Sequence, residues 1–188
     1  MNGHTLYRDI WLAQIPPTLE FFSSLIKSNN FSQIIEIGTN RGGLSIYVND
    51  IKDPKTQFVT YDITAQYLKF SPSKENIDFR VGDCFSQKFE EIKNLISQSG
   101  QTLLLCDGGN KIQEFALFSS YLKTGDVIMC HDFMDDLETY SNAQSKYNWQ
   151  TAPESSMREI QDSVKQNNLS RYMFDQAKNS IWGCFKKN

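Results

Sequence analysis

The sequence predicts an α/β sandwich built on a mostly parallel sheet, and three observations predict it. Short β-rich runs alternate with amphipathic stretches along the chain, several of those runs end in an acid, and a glycine-rich turn joins the first run to the helical stretch after it. Among 188 residues, 39% are apolar and 22% charged, so one domain spanning 1–188 with one core is expected.

The elements follow in order. After Pro16 and Pro17, Leu19, Phe22, Leu25 and Ile26 recur at helical spacing until Asn29 and Asn30 break it, so residues 1–30 read as a lead-in that ends in a helix. IIEI at 34–37 is the first strand, GTNRGG the turn, and Leu44, Tyr47, Val48 and Ile51 mark the next helix. FVTYD, ending at Asp62, and IDFRVGD, ending at Asp83, are the second and third strands. Ser86 is expected to cap a helix carrying Phe89, Ile92, Leu95 and Ile96, with Gly100 closing it in a left-handed conformation. TLLLCD is apolar up to its final acid, as a central strand covered on both faces should be, and it ends at Asp107. Ile112, Phe115 and Leu122 define a helix ended by Gly125, and DVIMC is the fifth strand, delivering His131 and Asp132.

Residues 133–152 show no clear period and read as a long loop over the sheet end. Tyr140, Tyr147 and Trp149 make it a candidate lid able to stack on a ring. Ser156 and Glu159 have capping-box spacing ahead of a last helix with Ile160 and Val164. RYMFDQ and SIWGCF then read as two antiparallel strands joined by the short turn AKN.

A formal charge of -3 gives no basic field for nucleic acid or an anionic membrane. The N-terminal stretch lacks a basic segment leading into an apolar run, and nothing approaches a membrane span, so a soluble cytoplasmic protein is expected. Cys84, Cys106, Cys130 and Cys184 stand alone, without zinc-ligand spacing, and Cys106 and Cys130 read as small buried hydrophobes.

The acids Glu36, Asp62, Asp83, Asp107 and Asp132 lie in or after predicted strands, whose carboxyl ends share one edge of a parallel sheet. Any one of them could simply be a solvated or capping acid; together, beside a glycine turn, they suit a polyhydroxyl or amine-bearing ligand, or a cation. A dinucleotide fingerprint would need glycine at Asn40, and it is missing.

EIGTNRGGLS resembles the first motif of the class I S-adenosylmethionine-dependent methyltransferases, in the form found in the cephalosporin hydroxylase-like and macrocin-type O-methyltransferases. The resemblance continues through TYDIT, VGDCF and LLLCDGGNKIQEFALFSSYLKTGDVIMCHDF, over about residues 11–135. It implies a Rossmann-like, mostly parallel seven-stranded sheet with a C-terminal antiparallel strand and helices on both faces. It also implies S-adenosylmethionine as cofactor and a small hydroxylated acceptor, a sugar or natural-product glycoside. Where many relatives have histidine after the fourth-strand acid, this chain has Asn110, which is no base near neutral pH.

The resemblance places the cofactor on Glu36, Gly38, Thr39, Asn40, Gly42, Asp62, Asp83, Cys84, Phe85 and Asp107. Gly38 and Gly42 would leave room for its methionine part, Glu36 would order the loop or bind the ammonium through water, Asp62 would take the ribose diol and Asp83 the adenine amine. It also implies a divalent cation, Mg²⁺ rather than zinc, on Asp107, His131 and Asp132, with His131 and Asp107 as the catalytic pair. His131 would serve as ligand or general base. The competing readings are an NAD-linked oxidoreductase and a non-catalytic cofactor-binding protein. The expected partner is a small molecule, not nucleic acid or membrane, and a homo-oligomer is left open.

Overall fold

A computed structural model describes residues 5–150 and 152–188; the first four residues of the lead-in and position 151 of the expected loop lie outside them. In chain order the elements are a hairpin β1 (Leu6–Tyr7) and β2 (Ile10–Trp11), α1 (Pro17–Lys27), β3 (Phe31–Ile37), α2 (Gly43–Ile51), β4 (Gln57–Asp62), α3 (Pro72–Glu75), β5 (Asp78–Val81) and α4 (Phe89–Ile96). There follow β6 (Gln101–Cys106), α5 (Lys111–Ser119), β7 (Val127–His131), α6 (Leu137–Tyr147), α7 (Met157–Gln166), β8 (Leu169–Arg171), α8 (Phe174–Asn179) and β9 (Trp182–Lys187).

Seven strands form one sheet in the order β5-β4-β3-β6-β7-β9-β8, and β9 alone runs antiparallel to both its neighbours. The expected Rossmann-like class is therefore observed. The chain leaves β3 toward β4 and later returns to β6 on the other side of β3, so the switch point lies between β3 and β6 at their carboxyl ends.

Side chains alternate across the central strands as a strand period of two requires. Ile34, Leu103, Leu105, Val127 and Met129 pack on one face with Phe22 and Leu25 of α1 and Val48 of α2. Ile35, Leu104, Cys106, Ile128 and Cys130 pack on the other with Ile92 of α4, Phe115 of α5 and Ile160 of α7. All four cysteines are free and buried, as their strand context suggested. Among the described residues no helix is long and apolar enough to cross a membrane.

Several expectations need correction. The segment 133–152 is not a structureless loop: it contains α6, whose N-cap Asp136 accepts a hydrogen bond from the Thr139 amide at 2.7 Å. Within that helix only Thr139 and Ala143 are buried, a face too narrow to leave a periodic signal. Phe133, Met134 and Trp149 are buried around it. Ser86 does not cap α4, which starts after Lys88; its hydroxyl donates to Asp83 Oδ2 at 2.9 Å. Gly100 and Gly125 do have left-handed φ, but both lie beyond the helix ends, which fall at Ser97 and Ser120. The third strand stops at Val81, short of Asp83. RYMFDQ is strand only as far as Arg171, and the antiparallel pair is joined by the short helix α8 rather than a tight turn.

α1 fixes more than its own packing. Phe22 is fully buried with its ring edge-on to Trp182, centroids 5.3 Å apart. Phe22→Ala should therefore destabilise the fold by about 3–5 kcal/mol, the usual cost of removing a buried ring. Denaturant titration would measure it, and a loss near zero would show that α1 does not share the core.

Candidate functional site

A cavity of about 720 Å³ lies over the carboxyl ends of the central strands, within the range of small-molecule sites. The turn after β3 contributes Gly38, Thr39, Asn40 and Gly42 to its wall, and the end of β4 contributes Asp62. Asp83, Cys84 and Phe85 come from the segment after β5, Asp107 from the end of β6, and His131 and Asp132 from the end of β7. One expected residue, Glu36, is not there.

Glu36 is fully buried beneath the turn. Its Oε2 accepts from Ser45 Oγ and Thr60 Oγ1, both at 2.5 Å, and Thr60 Oγ1 lies 2.6 Å from Thr39 Oγ1. It orders the turn from below, one of the two roles expected of it, and is not itself part of the cavity wall. Burial raises its pKa to about 7, against the opposing pull of the Ser45 and Thr60 hydroxyls.

The two glycines are also required by packing within the protein. A Cβ on Gly38 would lie 2.1 Å from the Asp107 carbonyl oxygen, and φ there is +101°, so glycine lets β3 and β6 close up at the switch point. A Cβ on Gly42 would strike the Phe70 ring at 2.1 Å. Both glycines also border the cavity.

Asp62 is held by the backbone amides of Asn40 at 2.8 Å and Thr64 at 3.1 Å, one on each carboxylate oxygen. Each oxygen keeps a lone pair for a ligand. Asp83 is fixed likewise by the Phe85 amide and the Ser86 hydroxyl, both at 2.9 Å. Cys84 is buried, and burial pushes its thiol up to about 12, so it serves as wall rather than nucleophile.

At the other side, His131 Nδ1 lies 2.8 Å from Asp107 Oδ1, while Asp107 Oδ2 accepts from Gln14 Nε2 at 3.1 Å. Gln14 Oε1 in turn accepts from Trp182 Nε1 at 2.9 Å. Trp182 is the cross-strand partner of His131 in the β7–β9 ladder, and its ring lies 4.7 Å from the imidazole. Nothing in the sequence marks Gln14 or Trp182: each is a lone polar or aromatic residue whose partners come from the far end of the chain. His131 Nε2 is buried without a hydrogen-bond partner. Burial favours the neutral imidazole, but the charges of Asp107 and Asp132 outweigh it and raise the His131 pKa.

The trio expected to hold a divalent ion is thus brought together, but not as a metal centre. His131 Nδ1 is 2.8 Å from Asp107 Oδ1 and 3.6 Å from Asp132 Oδ2, so the ring nitrogen fills the gap between the two carboxylates. Lys111 Nζ lies 3.5 Å from Asp132 Oδ2 on its other side. Among the described residues no three His, Cys, Asp or Glu side chains are placed to hold a metal ion. Asn110, in the histidine's place, caps α5 by accepting from the Gln113 amide at 3.1 Å.

The fold is similar to that of solved structures. CmcI in a Mg–SAM form matches with a TM-score of 0.69 and 16% identity, over 98% of this chain and 76% of that one. An O-methyltransferase from Bacillus cereus in complex with SAH matches with a TM-score of 0.57 and 14% identity, over 90% and 80% of the two chains. TomG from Streptomyces achromogenes, an O-methyltransferase involved in tomaymycin synthesis, matches in complex with SAM with a TM-score of 0.53 and 12% identity, over 93% and 83%. The chain has the class I methyltransferase fold. At these identities the likeness is one of fold, and no family model and no curated protein sequence matches the chain.

The buried acid makes a testable prediction. With a folded pKa near 7 and an ordinary value of 4.5, Glu36 keeps a proton in the folded chain that the unfolded chain releases. Its contribution to stability is present below the unfolded value and is lost as pH rises through the folded one. The melting temperature should fall between about pH 5 and pH 8, and less steeply in Glu36→Gln, which keeps an acceptor for Ser45 and Thr60. Glu114, raised to about 7 mainly by burial, leaves a residual slope in both. Identical slopes would show that Glu36 ionises freely in the folded chain.

Proposed function

We propose that the chain is an S-adenosylmethionine-dependent O-methyltransferase acting on a small hydroxylated acceptor such as a sugar or natural-product glycoside. The observation that carries this reading is one cavity with the pre-oriented carboxylates of Asp62 and Asp83 on one side and the His131–Asp107 pair on the other. The donor set suits the cofactor: Asp62 has free lone pairs for a ribose diol, Asp83 has the same for an amine, and the cavity is large enough for cofactor and acceptor together. The solved structures of CmcI and TomG are SAM complexes, which supports the same cofactor here.

When bound, S-adenosylmethionine supplies an electrophilic methyl group. The chain's own residues handle the acceptor. His131 Nε2 is free to take the proton of the acceptor hydroxyl, and Asp107 orients the ring by accepting from Nδ1–H and stabilises the imidazolium that results. Trp149, whose ring stands edge-on to His131 at 5.8 Å, and Trp182 limit water around the base. The NAD reading is disfavoured, because Asn40 occupies the position where a dinucleotide turn needs glycine.

Asp62→Ala should weaken S-adenosylhomocysteine by about 2–3 kcal/mol, the scale of losing charge-assisted hydrogen bonds in a desolvated site. Calorimetry measures it, with NAD as the control ligand, and unchanged affinity would remove Asp62 from the site. His131→Asn should keep that affinity while abolishing transfer of labelled methyl to hydroxylated metabolites. A wild-type chain that binds the cofactor product but transfers to no acceptor would favour the non-catalytic reading.

A further inference from the structure

The mismatch between the expected metal ligands and their observed geometry leaves one buried charge to explain, and it belongs to Lys111. Its side chain is 8% exposed and starts at the first residue of α5, where the helix dipole already presents positive charge. A lysine there is unfavourable unless anions compensate it. The ammonium is surrounded by oxygens: Gly108 O at 3.2 Å, Glu154 Oε2 at 2.5 Å and Asp132 Oδ2 at 3.5 Å. A backbone carbonyl and two carboxylates from separate parts of the chain are the donor types that hard cations take. Lys111, Asp132 and Glu154 all border the cavity beside His131.

We propose that the Lys111 ammonium is the resident cation of this site, filling the role that a divalent ion would play in a Mg-bound methyltransferase of this fold, so that the chain binds no Mg²⁺ there. It offsets Asp132 and Glu154 and leaves Asp107 to His131. Lys111 is a positioning residue in this scheme: its ammonium meets Gly108 O, Asp132 and Glu154, and it acts by holding Asp132 and the 108–110 turn in place. A consequence for the acceptor follows. Without an open-sided divalent ion there is no chelating partner for two vicinal oxygens, so a single hydroxyl presented to His131 suffices. This consequence rests on the methyltransferase reading; the cation assignment does not.

The test is calorimetric titration of MgCl₂ into the full chain, with and without S-adenosylhomocysteine, for the wild type, Lys111→Ala and Lys111→Arg. The wild type and Lys111→Arg should give no saturable heat at millimolar Mg²⁺. Lys111→Ala, which vacates the oxygen cage, should gain saturable Mg²⁺ binding, a change that loss of a merely structural lysine would not produce. Saturable Mg²⁺ binding by the wild type overturns the proposal without recourse to any variant, as does a folded Lys111→Ala chain that gains none. If S-adenosylhomocysteine fails to bind the wild type, the methyltransferase reading falls while the Mg²⁺ titrations still decide the role of Lys111.

Discussion

Parallel strands deliver their ends to one edge, and in this chain those ends carry acids. Like charges brought together at the rim of a partly desolvated cavity repel, so each carboxylate needs a local answer. The answers differ by position. Glu36 is withdrawn from the rim altogether, buried and raised to about 7 with two hydroxyls on one oxygen. Asp62 is held by the backbone amides of Asn40 and Thr64, and Asp83 by the Phe85 amide of its own turn. Asp107 is shared between Gln14 and His131, and Asp132 faces Lys111. The cavity is divided by these choices: on one side the carboxylates are held by amides, and on the other they are paired with an imidazole and an ammonium and become part of a charge network.

That network ties together segments far apart in sequence. Gln14 comes from the stretch before α1, Asp107 from β6, His131 from β7 and Trp182 from β9. The antiparallel insertion of β9 beside β7 makes this possible, because it puts Trp182 opposite His131 in register and on the same face. Phe22 then backs the indole from α1. Both ends of the described chain therefore hold one imidazole in one orientation, with Nδ1 toward Asp107.

The sheet and its acids were legible in the sequence because both leave local marks. Runs such as TLLLC show a buried parallel strand, and the acids that follow several of them lie near the strand edge, although β5 stops at Val81, short of Asp83. What was hidden depends on long-range partners or on weak periodicity. α6 buries too little of one face to show a period, and its capping Asp136 sits among other acids. The glycine turn was legible as a turn, but its reason was not: whether a Cβ at 38 would meet a ligand or the Asp107 carbonyl cannot be read without knowing that β6 lies against β3. Lys111 did carry a signal. A cation in the first turn of a helix opposes the dipole, and such a placement asks for anions from elsewhere in the fold.

Asn110 is committed to structure rather than to chemistry at the site. An asparagine oxygen is well suited to accept from the amide three residues on, and here it does so, starting α5 with a conventional cap. Glu114 closes the same turn by accepting from the Gly108 and Asn110 amides, which fixes where Lys111 leaves the helix. Position 110 is thus committed to the cap, and the Glu114 carboxyl, raised to about 7 mainly by burial, is committed to the Gly108 and Asn110 amides. His131 is the only histidine among the described residues, so in the proposed methyltransferase the proton of the acceptor hydroxyl would go to the neighbouring strand end. Its hydrogen bond to Asp107 then becomes decisive. With the Nδ1 proton held by that carboxylate, the lone pair of the neutral ring lies on Nε2, the nitrogen that the protein leaves without a partner.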